Sequence, residues 1–203
     1  MSYLILVKHA MPEIEPGVPA SRWHLSAGGR EASAWFARQL ASYAPARVFS
    51  SAEPKAHETA QIIAGHLGLG CEPIEALGEH RRDAVPLLAG DDFAAAVRRC
   101  LENPASLVFG SETANEALAR FRSAMDAVQN KIGDGDILVV AHGTVISLYV
   151  SALTGTAPFA IWQQLGLPSC VVMSREDVTK AEIIGLAETP AVHLASAGRA
   201  NRT

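Results

Sequence analysis

The sequence lacks three features that would assign a chain to a specialised class: paired cysteines, a long apolar run and an excess of positive charge. Its three cysteines stand at long spacings and form no Cys-x-x-Cys, which argues against both a disulfide framework and a zinc site. We therefore expect Cys71, Cys100 and Cys170 to be reduced thiols buried in the fold.

The other two absences concern membranes and nucleic acids. No run approaches the roughly eighteen apolar residues that a membrane span needs, and no charged segment precedes an apolar stretch at the amino terminus. The formal net charge of −4 gives no basic surface for nucleic acid or for an anionic membrane. We expect a cytoplasmic protein with neither of these as a partner.

What the sequence does contain is the composition of one soluble globular domain, with 203 residues of which 49% are hydrophobic and 19% charged. It has no internal repeat and no low-complexity segment. From about residue 188 the chain is polar and has no periodicity, as is typical of a fraying end. We expect a single domain over residues 1–187, followed by a strand remnant and a flexible tail over residues 188–203.

Short aliphatic runs predict the strands of a sheet. Two of them, at residues 4–7 and 136–141, show none of the alternation found when one face of a strand meets water, which is typical of parallel strands covered on both faces. A short apolar run at residues 46–49 predicts another strand between them. Three further runs with strand character cover residues 71–77, 169–174 and 181–186.

Amphipathic periods between these runs predict helices, because apolar residues recur at three and four positions. The three clearest periods cover residues 26–43, 54–67 and 112–131. Ser26 has the chemistry of an N-cap, Pro54 suits a first turn, and Gly68 suits a helix end.

We expect the apolar stripes of these helices, including Trp35 in the first, to face the core. On the third helix, Glu116 and Arg120 have the spacing of an ion pair. Strands that alternate with helices predict an α/β fold, a three-layer α/β/α sandwich with a mostly parallel, mixed central sheet of about six strands.

Two of the predicted strands end in histidine. Lys8 and His9 follow the first strand, and His142 and Gly143 follow the run 136–141. The carboxyl ends of parallel strands share one edge of a sheet, where ligands bind. If the two strands are neighbours, the two imidazoles face each other between helix amino termini that attract anions. The alternative is that His9 only caps its strand as a half-buried, satisfied residue.

The predicted strand 46–49 brings hydroxyl groups and a second lysine to the same edge. Ser50 and Ser51 follow it, and Lys55 lies one helical turn further on. Histidines, lysines, hydroxyls and helix dipoles together form a site for a dianion such as a phosphoryl group.

The segments KHA, SSAEPKAHETA and VVAHG, in this order, resemble the signatures of the histidine phosphatase superfamily. That group includes cofactor-independent acid phosphatases and cofactor-dependent phosphoglycerate mutases. The usual signatures are Arg-His-Gly after the first strand, Ser-Ser-x-x-x-Arg-x-x-x-Thr-Ala after the second, and a late His-Gly. The resemblance extends from about Tyr3 to His193, because WHLSAGGREA is similar to the family's helix start and AVHL to its closing strand.

The resemblance implies a mechanism without metal or cofactor. His9 is the implied nucleophile, which takes the phosphoryl group as a phosphohistidine. The implied phosphate-binding residues are Lys8, Lys55, His142 and Gly143, and His142 is counted with the catalytic residues as well.

The resemblance also implies a carboxylic acid that protonates the leaving alcohol, and Glu79 stands at its place in ALGEHRRDA. Glu53 and Asp83 are nearby alternatives. A carboxylate beside the Arg81 and Arg82 pair is also typical of a surface ion pair. For the remaining histidines we expect solvated or core positions; these are His24, His57, His66 and His80.

Three residues depart from the family pattern. Lysines replace both family arginines, at Lys8 and Lys55, and Ala10 replaces the glycine after the nucleophile. An ammonium keeps the charge of a guanidinium but loses its two parallel hydrogen bonds, so weakened catalysis is an expectation.

The function predicted from the sequence is hydrolysis of phosphomonoesters. The expected substrate is a small phosphorylated molecule or a phosphoprotein. The first alternative is a regulatory protein that binds phospho-ligands with little or no turnover. A phosphoglycerate mutase-like phosphotransferase is a weaker alternative, because residues 79–111 offer few extra cations for a second acidic group. The sequence predicts no oligomeric state.

Overall fold

The structure is a computed structural model, and it describes residues 2–88 and 90–185. Within those residues the chain forms one six-stranded sheet and six α-helices. The strands are β1 Tyr3–Lys8, β2 Arg47–Ser51, β3 Cys71–Ile74, β4 Ile137–Ala141, β5 Ser169–Ser174 and β6 Ala181–Gly185. The helices are α1 Ala27–Leu40, α2 Pro54–Leu67, α3 Gly90–Glu102, α4 Ala114–Lys131, α5 Gly143–Thr154 and α6 Pro158–Gln164.

The strands lie in the order β3-β2-β4-β1-β5-β6. The first four run parallel, β5 runs antiparallel to β1, and β6 runs antiparallel to β5. This confirms the mostly parallel, mixed sheet of an α/β fold. Because β1 pairs directly with β4, in a register that sets Lys8 opposite Ala141, the two histidines that follow these strands are neighbours.

Alternate residues of the central strands enter two separate hydrophobic cores. On β1, Leu4 and Leu6 pack into one core, and Ile5 and Val7 pack into the other. Helices α3 to α6 contribute to the first core, and α1 and α2 contribute to the second. Burial on both faces explains why these strands show no polar alternation, and the helices on each face complete the three layers.

The predicted helix signals are confirmed at three positions. The Ser26 side chain accepts a hydrogen bond from the Gly29 N–H at 3.0 Å and so caps α1. Pro54 is the first residue of α2, and Gly68 ends that helix in the left-handed conformation, with φ at 68°.

Two expectations about side chains are wrong. Trp35 does not face the core, because 37% of it is exposed. Glu116 does not pair with Arg120. Its carboxylate instead forms a capping box with Thr113 at the start of α4, since a free N-terminal N–H group is a nearer partner than the guanidinium.

Several boundaries differ from the predictions. Helices α3, α5 and α6 lie outside the predicted ranges; α5 is buried all round from Gly143 to Val150 and so shows no amphipathic period. The run 71–77 is a strand only to Ile74, with a 3₁₀ turn over Glu75–Leu77. Leu186, the AVHL segment at 191–194 and the predicted tail 188–203 lie outside the described residues.

The structure also bears on the cysteines and on membranes. Cys100 and Cys170 are buried as expected, Cys71 is half-buried, and all three are free. Over the described ranges, no helix is long and apolar enough to cross a bilayer.

Candidate active site

A cavity of about 450 Å³ opens beyond the carboxyl ends of β1, β2 and β4. It lies at this edge because the three strands run parallel and end together. The residues that the sequence singled out converge there. The cavity is lined by all six of the predicted site residues, namely Lys8, His9, Lys55, Glu79, His142 and Gly143.

His9 is held in one orientation. Its backbone N–H extends the ladder to β4 by bonding the Ala141 carbonyl at 3.1 Å. Its ring Nδ1 lies 2.7 Å from the Ala10 carbonyl oxygen. Because a carbonyl only accepts hydrogen bonds, Nδ1 carries the proton, and Nε2 keeps its lone pair. Burial, together with the neighbouring His142 and Lys55, holds the pKa of His9 well below its usual range, so the ring is neutral.

The loop after His9 is fixed by two contacts. The Ala10 N–H donates to Thr59 Oγ1 at 3.1 Å, and that hydroxyl donates to the Lys55 carbonyl at 2.7 Å. Further along, the Met11 carbonyl approaches α1 so closely that a Cβ at Gly29 would lie 2.1 Å from its oxygen. Gly29 therefore has to be a glycine, and contacts within the protein hold the loop.

His142 faces His9, with 5.1 Å between the ring centroids. Its side chain is fully buried, and neither ring nitrogen has a hydrogen-bond partner among the described residues. Burial and the charge of Lys55 hold the pKa of His142 well below its usual range. Two unpaired buried nitrogens are costly, and they point to a polar ligand in the cavity.

Both predicted lysines line the cavity, but each already has protein partners. The Lys8 ammonium donates to the Leu165 carbonyl at 2.8 Å and lies 6.0 Å from the centroid of Trp162. Burial lowers the pKa of Lys8 to about 8. The Lys55 ammonium donates to the Ala20 carbonyl at 2.7 Å and to the Glu53 carboxylate at 2.5 Å.

Gly143 begins α5 directly beside Lys8. A Cβ added there would lie 3.3 Å from Lys8 Cε and 3.3 Å from Trp162 Nε1. The missing side chain therefore leaves room for the ammonium at the helix start.

Glu79 is bound by the amino terminus of α5. Its carboxylate accepts N–H groups from Thr144 at 3.2 Å and Val145 at 3.3 Å. Burial alone would raise the pKa of Glu79, but the Arg82 charge and the N–H groups of His80 and Thr144 outweigh it and hold that pKa well below its usual range. Two N–H groups that were expected to attract a ligand anion are thus occupied by a side chain of the protein.

Two arginines of the site were missed by sequence reasoning. Arg82 lies 3.4 Å from Glu79 and is only 18% exposed, so this ion pair is inside the cavity and not on the surface. Its guanidinium also lies over the rings of Phe93 and Phe109, at 5.1 and 5.6 Å. The sequence places Arg82 three residues after Glu79, but it gives no local signal that the pair is buried, because the covering rings come from α3 and from the loop after it.

Arg120 fixes the backbone that carries Glu79. It donates to the carbonyls of Ala76, Gly78 and Glu79 at 2.9 to 3.0 Å, and to Glu112 at 2.6 Å. The only sequence signal for it is its place at the edge of the buried face of α4, next to a core position.

The other candidates lie at the margin of the site. Asp83 lines the cavity and is exposed. His24 contacts Glu58 on the surface, His66 is exposed, and His57 contacts Ser50. His80 is buried, stacked on a phenylalanine ring. In the part of the chain that the structure describes, no group of three or more His, Cys, Asp or Glu side chains could hold a metal ion.

Comparison with known proteins gives a family and a fold. The model of the histidine phosphatase superfamily (branch 1) matches residues 4–181. No curated protein matches the sequence.

Solved structures share the fold. A mycobacterial glucosyl-3-phosphoglycerate phosphatase, solved with VO3, is 23% identical with a TM-score of 0.70, over 86% of this chain and 93% of that one. A phosphoserine phosphatase from Entamoeba histolytica, solved with 3-phosphoglyceric acid, is 19% identical with a TM-score of 0.68, over 87% and 92%. "Mycobacterial hydrolase 1" is 22% identical with a TM-score of 0.71, over 90% and 95%.

Proposed function

This chain belongs to branch 1 of the histidine phosphatase superfamily, and we propose that it hydrolyses phosphomonoesters through a phosphohistidine on His9. One observation carries the proposal. The Ala10 carbonyl holds the proton of His9 on Nδ1, while burial keeps the ring neutral. A neutral imidazole with Nε2 unprotonated is the form that attacks phosphorus.

In the first step, the Nε2 lone pair forms a bond to phosphorus and the bond from phosphorus to the ester oxygen breaks. His142 lies beside the attacking ring with two unpaired nitrogens, so it supplies a donor to a non-bridging oxygen. Lys8 and Lys55 add positive charge at the cavity wall. These groups stabilise the charge that the phosphoryl oxygens carry in the transition state.

The leaving oxygen needs a proton, and we assign its delivery to Glu79. Without substrate Glu79 is a carboxylate, because Arg82 and the start of α5 stabilise the charged form. A phosphoryl anion bound beside it raises the pKa again, since like charges disfavour ionisation. Glu79 therefore takes up its proton together with the substrate. In the second step water attacks phosphorus, Glu79 accepts the proton of that water, and the bond to Nε2 breaks.

For the substrate we propose a small phosphorylated molecule. A cavity of about 450 Å³ is within the range of small-molecule sites, roughly 300–1,000 Å³. The phosphatases of similar fold carry small phosphate esters in their names, glucosyl-3-phosphoglycerate and phosphoserine. Trp162 and Phe93 line the cavity and offer apolar surface to the leaving group.

A second candidate function has its own observation. Both lysines already donate to carbonyl oxygens of the protein, Leu165 and Ala20, so each has fewer donors left for a phosphoryl group than a guanidinium would have. This favours a protein that binds phospho-ligands with little or no turnover.

The deciding experiment is a rapid denaturing quench after incubation with a phosphate ester labelled in the phosphoryl group. The wild type should carry acid-labile, base-stable label, as expected of a phosphohistidine, and His9→Ala should carry none. His57→Ala is a matched control, because it removes a half-buried histidine outside the cavity, and it should keep the label.

Label that survives in His9→Ala would exclude His9 as the nucleophile. A wild type that binds phosphate but neither forms label nor releases phosphate from an aryl ester would establish the second candidate.

A further inference from the structure

Glu53 places a carboxylate where the mechanism requires phosphoryl oxygens. Its Oε2 contacts Lys55 Nζ at 2.5 Å, and its Oε1 lies 3.6 Å from His142 Nε2. These two neighbours, one paired with Glu53 and one just beyond hydrogen-bond distance, are the cation and the imidazole that face the expected oxyanion. The Glu53 side chain is only 16% exposed and lines the same cavity as His9, so solvent screens its charge weakly.

The backbone fixes this carboxylate in the cavity. Glu53 is the N-cap residue of α2, yet its side chain makes no capping hydrogen bond to that helix. Its Oε1 accepts the Glu79 N–H at 2.7 Å instead. The carboxylate therefore faces away from the helix that it precedes and toward the ligand space.

Among the described residues, the cation that contacts Glu53 is already paired with it, and Lys8 and Arg82 on the same cavity wall each have a protein partner. Lys55 from α2 pairs with it directly, and His142 at the start of α5 is neutral when unliganded. The remaining neighbours are Glu79, whose carboxylate is bound at α5, and Arg120 from α4, whose guanidinium is occupied by three carbonyls and Glu112.

We propose that Glu53 makes the site select tetrahedral oxyanions that carry a proton. It accepts a hydrogen bond from the P–OH of a singly charged phosphoryl group and repels an anion without a proton, such as sulfate or a sulfate ester. The inference rests on the proposed function only for the identity of the bound group.

The selection follows from what a carboxylate can do. An ionised carboxylate only accepts hydrogen bonds, so a P–OH satisfies it, whereas a deprotonated oxygen in the same place brings two negative groups together. A site built to bond a hydroxyl rejects an analogue without it far more strongly than a difference in shape allows. Sulfate and phosphate have nearly the same shape, and they differ in this proton.

The test measures the binding of inorganic phosphate and of sulfate at about pH 5, which is below the second phosphate pKa of about 6, so that phosphoryl groups are largely singly charged. Trp23 and Trp162 line the cavity, so tryptophan fluorescence reports binding, and calorimetry checks it. The wild type should bind phosphate at least about a hundredfold more tightly than sulfate. Glu53→Gln should bind sulfate at least about tenfold more tightly than the wild type does, because an amide offers a donor and no charge.

Glu75→Gln is the matched control. It removes the same charge from an exposed residue of the same cavity, outside the contacts with Lys55 and His142, and it should keep the preference for phosphate. Thermal unfolding checks that each variant is folded. Should Glu53→Gln fail to fold, Glu53→Asp withdraws the carboxylate by one methylene and should reduce the preference in part.

The inference is overturned if the wild type shows no preference for phosphate, or if the folded Glu53 variants keep the wild-type preference. Failure of the proposed function is a different result: no label on His9 from a phosphate ester, with phosphate binding and its dependence on Glu53 intact.

Discussion

His9 and His142 face each other across the cavity, but the protein holds them in different ways. His9 has one nitrogen bound to the Ala10 carbonyl and one directed at the ligand space, whereas His142 has no partner for either nitrogen among the described residues. A nucleophile needs a lone pair in a fixed place. A histidine that binds phosphoryl oxygens, whose charge changes during a reaction, benefits when either of its ring nitrogens can take up or release a proton.

The largest effect should separate the two rings. His9→Asn keeps a donor for Ala10 and removes the nucleophilic nitrogen, so turnover should fall by at least about 10⁴-fold, with no labelled intermediate. His142→Gln keeps a donor near Nε2, so turnover should fall only by about 10²–10³-fold, with label still formed. Steady-state rates and quenched label check both. The reverse order of losses would exchange the roles of the two histidines.

The next effect concerns Glu79, whose carboxylate is bound at the start of α5 beside His142. Glu79→Gln should lower turnover by about 10²–10⁴-fold for alkyl phosphates and much less for aryl phosphates, because only a poor leaving group needs a strong acid. Asp83→Asn changes an exposed carboxylate of the same cavity and should leave both rates near wild type. If Glu79→Gln loses turnover equally on both esters, Glu79 is not the general acid, and Glu53 becomes the candidate.

A smaller effect tests the cation next to His9 in the chain. Lys8→Met removes a charge-assisted hydrogen bond of roughly 1.5–3 kcal/mol, so vanadate affinity should fall about tenfold to a hundredfold. Because burial lowers the pKa of Lys8 to about 8, wild-type affinity should also fall as the pH rises through that value. Lys8→Arg stays charged and should lose this dependence. A folded Lys8→Met with unchanged vanadate affinity would make Lys8 a structural cation.

The smallest effect is one of stability. Both histidines have a pKa well below 6.5 in the fold, so below about pH 6.5 the unfolded chain binds protons that the folded one does not. As the pH decreases below this value, the free energy of unfolding should therefore fall by up to about 1.4 kcal/mol per pH unit for each histidine. Below about pH 4.5 the lowered pKa of Glu79 adds a further loss, because its stabilisation disappears as it is protonated.

Urea unfolding at a series of pH values gives this slope. His9→Asn should remove the share of one histidine. A slope in that variant equal to the wild-type slope would show that His9 is protonated as readily in the fold as in the unfolded chain.

The sequence predicts the central strands and the paired histidines for a physical reason. Strands covered on both faces must be apolar throughout, so β1 and β4 are visible as runs, and their ends are fixed where a polar residue begins. Helix α3 escapes prediction because its buried residues, Ala96, Val97, Cys100 and Leu101, cover only its second half, which is less than two turns of an apolar period. Helix α6 has only seven residues, too few for a clear period.

The environment of the site could not be predicted in the same way. Arg82 is only three positions from Glu79, but the location of Glu79 on the start of α5, and of Arg120 beside it, depends on contacts between residues 41 to 66 positions apart. Such contacts follow from the arrangement of whole elements, which a local pattern does not contain. The sequence therefore supports the choice of residues but not their charge states.

The strand order has a consequence for synthesis on the ribosome. β4 lies between β1 and β2, although more than 80 residues separate it from β2 along the chain. Until residue 141 has emerged, the nascent chain holds two strands that cannot pair with each other in the native arrangement, and their apolar edges stay open to chaperones and to aggregation. The insertion of β4 joins β1 to β2 and brings His142 to His9 in the same event, so no amino-terminal fragment that lacks β4 can assemble the paired histidines.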